Sequence, residues 1–306
     1  MTNEELKKIF LEVLQKHAAD ATKEPKKQEG FWAEKLDPAK KKETELNKLS
    51  GLFLPSVSAN YENSKTKIML VGAETAGWYP LLKRDKEGQA LTATEVIAKP
   101  THQRGPNDLP AESLWYQYQS LEDYIEKTMH RHAQVFGNGM KKPKNDKGRT
   151  FYNYLRGLDK ELSQIGSGYD SGGWVWSNLH CFDWNGKSPI FKKEPYESFI
   201  KPVSKALLQK QIEILKPDFI VFLSGISAAK TRNEFLKCVA LPKQNHCQKT
   251  AYLWEFRVDV TDEVERHIHC IRTHHPSARK PDAQRALTAS QKLLRRLIEE
   301  RASLNR

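Results

Sequence analysis

Residues 68–80, reading Ile-Met-Leu-Val-Gly-Ala-Glu-Thr-Ala-Gly-Trp-Tyr-Pro, constrain the fold more than any other stretch. The apolar run from Ile68 to Val71 has the composition of a short strand buried on both faces, and Gly72 ends it abruptly. Such strands belong to parallel sheets, whose carboxyl ends are where ligands bind and chemistry is done. Glu74 follows at that end. Gly72 and Gly77 permit close approaches that a side chain would prevent, and Trp78 and Tyr79 add flat aromatic surfaces. Carboxylate, open backbone and stacking faces together suggest a pocket for a planar ring. The same pattern is also an ordinary βα turn, in which Glu74 favours the first turn of the next helix.

The remaining chain alternates strands with helices. Leu6, Ile9, Phe10, Val13 and Leu14 stand at helical spacing in residues 3–18. Further helices are expected at 113–132, 151–165, 198–215 and 282–302, and strands at 173–179, 219–223, 252–260 and 267–272. Residues 226–251 read as an irregular strip. This alternation predicts an α/β fold, a three-layer sandwich around a mostly parallel sheet. A basic N-terminal helical extension is expected over residues 1–65, with the α/β domain over 66–306. The polar stretch at about 84–150 reads as an insertion, of a length that commonly forms a lid or binding loop.

Charge narrows the partners. Lys and Arg number 50 against 38 Asp and Glu, a formal charge of +12, so the surface attracts polyanions, with nucleic acid the first candidate. Tryptophan, at 7 residues, supplies faces for base stacking. The lysine-rich residues 21–48 read as a solvated segment, or as an arm contacting phosphates. With no apolar run of about 18 residues and no secretory leader, the chain is expected to be soluble and cytoplasmic. Cys181, Cys238, Cys247 and Cys270 include no C-x-x-C pair, which argues against a zinc ribbon or cysteine-ligated iron–sulfur cluster.

Three strand ends carry polar residues of different kinds: Glu74, Asn178 and His275. Their order and neighbours resemble the uracil-DNA glycosylase superfamily. The matching stretches are Gly72-Ala73-Glu74-Thr75-Ala76, Ser177-Asn178-Leu179 and His275-Pro276-Ser277, with residues 215–225 similar to the family's third strand. The resemblance implies a DNA glycosylase that needs no cofactor or metal and acts on duplex or single-stranded DNA, expected as a monomer. It makes Glu74 and His275 catalytic. Gly72, Ala73, Ala76, Gly77, Trp78, Tyr79 and Asn178 would bind substrate, and Ser277, Arg279 and Lys280 would meet DNA, with Arg285 a further phosphate contact.

The chemistry fits that assignment. A carboxylate beside the sugar can activate water and stabilise an oxocarbenium-like cation. A histidine can donate to charge developing on the departing base, and an Asn can pair with a pyrimidine edge. The target base must leave the stack, and Trp78 or Tyr79 could receive it. His274 is read as a structural neighbour of His275. His267 and His269 share one strand face with Cys270 on the other, which favours ordinary strand residues over a metal site. Two departures from the family are informative. Thr75 replaces a proline. Ala76 stands where uracil-specific members carry a tyrosine that blocks 5-substituted pyrimidines. The expected substrate is therefore a 5-modified pyrimidine, uracil or a hypermodified cytosine of foreign DNA. The alternative is a non-catalytic reader of modified bases.

Overall fold

The computed structural model describes residues 3–21, 51–74, 120–133, 136, 146–168, 172–184, 187–191, 195–242, 244–246, 248–261 and 265–304. The strands are β1 (Ile68–Gly72), β2 (Trp174–Asn178), β3 (Phe219–Phe222), β4 (Lys237–Ala240), β5 (Trp254–Thr261) and β6 (Glu265–Arg272). They form a 6-stranded sheet in the order β2-β1-β3-β6-β5-β4. The first four in that order run parallel; β5 returns antiparallel beside β6, and β4 antiparallel beside β5. Strand β4 falls in the strip read as irregular. It is an edge strand whose residues are exposed or only partly buried, so it lacks the apolar run that marks β1.

The helices are α1 (Asn3–Ala21), α2 (Ala59–Asn63), α3 (Leu121–His132), α4 (Asp146–Leu162), α5 (Lys201–Leu215), α6 (Ala229–Phe235) and α7 (Pro281–Leu304). They cover both faces of the sheet. On one face Leu6, Phe10 and Leu14 of α1, Ile125 of α3 and Leu207 of α5 pack against Met69, Val71, Val175 and Ile220. On the other, Leu155 and Leu158 of α4 and Leu294 and Ile298 of α7 pack against Ile68, Leu70, Phe219 and Val221. Successive residues of β1 thus enter opposite cores, which is why its sequence is apolar without alternation.

The open edge of β2 is covered by the chain that precedes β1 and by α3. Phe53 N–H donates to the Cys181 carbonyl at 2.8 Å. His132, at the end of α3, is 2 % exposed and bridges three segments. Its Nδ1 accepts from the Ser56 backbone N–H at 3.1 Å, so its proton stands on Nε2, which donates to the Trp176 carbonyl at 3.0 Å. A second proton would set N–H against N–H. Burial accordingly pushes the imidazole down to about 3. His180, equally buried beside Tyr196, is pushed down to about 4 by the same cause.

Both histidines stay neutral in the fold but protonate near the ordinary value when unfolded, so their contribution is complete above about pH 6.5. It is lost as pH falls towards their folded values, each removing up to about 1.4 kcal/mol per pH unit. Urea midpoints are therefore expected to drop between pH 7 and pH 4. His132→Phe is expected to weaken that dependence and, by orphaning the Ser56 N–H and Trp176 carbonyl, to cost about 2–4 kcal/mol at neutral pH.

Candidate active site

In the order β2-β1-β3 the chain leaves β1 for a neighbour on one side and then crosses to a neighbour on the other. The carboxyl end of β1 is therefore the topological switch point, where an open α/β sheet forms its crevice. Backbone bonds hold the four parallel strand ends together. Leu179 N–H donates to Gly72 and His180 N–H to Ala73, extending the β1–β2 pairing beyond the strands at 2.9 and 3.0 Å. Leu223 N–H donates to Val71, Thr273 N–H to Phe222 and Gly225 N–H to Thr273, at 2.8, 2.9 and 3.0 Å.

Gly72 stands directly opposite Asn178. The close approach that the glycine permits is made by this side chain: a Cβ at position 72 would lie 2.3 Å from Asn178 Oδ1 and 3.0 Å from the Trp176 ring. Trp176 and Asn178 share one face of β2, and the indole Nε1–H donates to Asn178 Oδ1 at 3.3 Å. Phe136 stacks on the Trp176 ring at 6.0 Å, and Phe151, in the second turn of α4, meets it edge-on at 4.8 Å.

Phe151 also meets His275 edge-on at 4.5 Å, so one phenyl ring joins the Asn178 strand to the histidine loop. The Ser277 N–H donates to His275 Nδ1 at 3.1 Å, and the Ser277 hydroxyl lies 2.6 Å from the same nitrogen. Nδ1 is thus an acceptor, and the imidazole proton is assigned to Nε2. Burial pushes His275 down to about 4, so at neutral pH it is an uncharged N–H donor. His274 takes a different place, packed at 5.3 Å against Tyr252 beside Gly225.

Glu74 is half-buried just past β1. Desolvation raises its carboxyl above the ordinary glutamate value; a hydrogen bond from Ser188 opposes that rise, and the charge of buried Asp183 adds to it. Arg279 and Lys280 are exposed beyond the histidine loop, and Arg285, also exposed, pairs with Asp282. Ala76, Gly77, Trp78 and Tyr79 lie outside the described residues, as do residues 22–50 and most of the stretch 84–150.

On β5 and β6, His267 Nδ1 meets Asp259 at 2.8 Å and His269 Nε2 meets Glu255 at 3.1 Å, while Cys270 is buried in the core on the opposite face. These histidines are partners of strand carboxylates. Among the described residues no group of three or more His, Cys, Asp and Glu side chains is arranged to hold a metal ion.

The family model described as the uracil DNA glycosylase superfamily matches residues 59–300. The chain belongs to the uracil-DNA glycosylase superfamily. No curated protein matches it. Members of the superfamily are mostly DNA glycosylases, which makes DNA the partner class and gives the formal charge of +12 a physical reason. Among the described residues no helix is long and apolar enough to cross a membrane.

Four residues beside the family motifs escaped sequence reasoning: Phe151, Trp176, Ser188 and Asp183. Trp176 was within reach, because strand alternation puts it on the face of Asn178. Nothing in the sequence ties Phe151 to the motifs, because it arrives on a separate helix; Asp183 and Ser188 follow the Asn178 motif on one loop, but their partner, Glu74, lies far earlier in the chain. The geometry gives a direct test of the β1–β2 contact. Gly72→Ala is expected to fold, with a stability loss of about 1–3 kcal/mol, and to weaken base recognition more than about tenfold by displacing Asn178. Urea unfolding and titration with DNA bearing the target base check the two effects separately.

Proposed function

We propose that the protein is a monofunctional DNA glycosylase that hydrolyses the bond between deoxyribose and a flipped, 5-modified pyrimidine. The observation that carries this reading is the neutral His275, which offers an Nε2–H donor while Ser277 occupies Nδ1. A departing pyrimidine gains negative charge on its oxygens. A neutral N–H can stabilise that charge without surrendering its proton, and it needs no reorganisation to do so.

In this reading the C1′–N1 bond breaks with its electron pair passing to the base. The sugar becomes oxocarbenium-like, and the ionised Glu74 stabilises it and orients a water molecule. The water oxygen bonds to C1′ and its released proton is taken up by Glu74, then passed to solvent or the base. The products are an abasic deoxyribose and a free pyrimidine. No lysine stands within the three motifs to attack the sugar, so water is the nucleophile. Phe151, edge-on to both Trp176 and His275, supplies an aromatic surface beside the base. Acceptance of a 5-substituent rests on Ala76 in place of the tyrosine of uracil-specific members. Hypermodified cytosine in foreign DNA, with a role in defence against phage, is the setting that follows.

The test is an excision assay on duplex and single-stranded DNA carrying uracil, mismatched thymine, hydroxymethylcytosine or glucosylated cytosine. Heat and alkali convert abasic sites to strand breaks. Breaks at a modified base are expected, with losses of about 100–1000-fold in Glu74→Gln and about 100-fold or more in His275→Ala. Excision of uracil alone would remove the 5-modified reading. Tight, salt-dependent binding without breaks, unaffected by Glu74→Gln, would instead make the protein a reader of modified bases.

The pH profile gives a separate prediction. Glu74 must be ionised to act, and its carboxyl is raised, so kcat/KM should fall on the acid side above the usual carboxylate range. The Ser188 hydrogen bond favours the ionised form. Ser188→Ala is therefore expected to move this acid limb to higher pH, measured by single-turnover rates across pH 4–8.

A further inference from the structure

Asn178 can address a base with either end of its amide, the acceptor oxygen or the donor N–H2. Its neighbours decide which. The Trp176 indole can only donate, and it donates to Oδ1 at 3.3 Å. Reversing the amide would set N–H2 against the indole N–H. Oδ1 also lies over the bare Cα of Gly72, as close as 2.3 Å to where a Cβ would stand. The indole has little freedom to release it, being 4 % exposed and held between Phe136 and Phe151. Among the described residues, Asn178 Nδ2 has no hydrogen-bond partner.

We infer that Asn178 presents its N–H2 to the base, and that the site selects a pyrimidine with an acceptor at N3, a cytosine-class base, over uracil or thymine. This deepens the glycosylase reading and rests on it for the placement of the base. His275 also donates, through Nε2–H, so both side chains set on the base are donors. Cytosine offers O2 and N3 as adjacent acceptors. Uracil and thymine carry a proton on N3, which opposes the Asn178 N–H2 in that pose. Uracil can still give O4 to the same N–H2, but its N3–H must then share Oδ1 with the indole that already donates to it.

The experiment measures binding of the full chain to single-stranded oligonucleotides of one sequence, so that unpairing costs do not differ. Each carries one 2′-fluoroarabino nucleotide, whose glycosidic bond resists hydrolysis, with 5-hydroxymethylcytosine or 5-hydroxymethyluracil as the base. The cytosine form is expected to bind about tenfold or more tighter. Trp176→Phe keeps a packed ring and removes the N–H, so it should free Oδ1 and bring the ratio towards one. Asn178→Asp, which leaves only acceptors, should reverse it; this variant keeps the test decisive if Trp176→Phe fails to fold.

Equal affinity, or preference for the uracil form, overturns the inference, and so does absence of binding to either form. Cleavage of natural substrates together with a uracil preference would sink the inference and leave the glycosylase reading standing. Selective binding of the cytosine form without cleavage of any natural substrate would do the opposite.

Discussion

The register that sets Gly72 opposite Asn178 is the constraint on which the site depends. Two parallel strands bring their carboxyl ends level, and the absence of one side chain lets the other strand's amide lie flat against the backbone. A slip by one residue would turn Asn178 to the opposite face, into the core that holds Val175 and Leu179. The register is fixed from both sides. Leu179 and His180 continue the pairing past the strands, and the alternation of Ile68 and Leu70 against Met69 and Val71 fills two separate cores.

Around that contact one physical cause, removal from water, acts on several titratable groups. His132, His180 and His275 are all held neutral by burial, and the Glu74 carboxyl is raised by it. The consequences differ with surroundings. His132 spends both ring nitrogens on backbone groups and ties α3 to the edge of the sheet. His275 spends one on its own loop, and its second nitrogen remains a donor. One chemistry ties helix to sheet in the first case and fixes the tautomer of a loop imidazole in the second.

Much of this was legible in the sequence, for a physical reason. Buried strands announce themselves as apolar runs, and polar residues at their ends stand out against that background, as Glu74, Asn178 and His275 did. Features that depend on a partner distant in sequence were not legible. Phe151 looks like an ordinary helix residue until Trp176 and His275 are brought against it, and Ser188 has no signature apart from Glu74. Strand β4 was missed because an edge strand needs little apolar sequence. The freedom of Gly72 seats the Asn178 side chain, a partner that the glycine's own surroundings in the sequence do not name.

The pieces of the site arrive on widely separated parts of the chain, at Gly72, Phe151, Asn178 and His275. None is paired with its partner by a short turn, so every contact among them closes a long loop, and such contacts form slowly. Because His275 follows β6, the histidine cannot take its place until that strand has docked beside β3. During synthesis the amino-terminal strands emerge well before it. A ribosome-bound chain with β1 and β2 already paired would hold Asn178 in register yet lack His275, so the candidate site is complete only after most of the chain has been made.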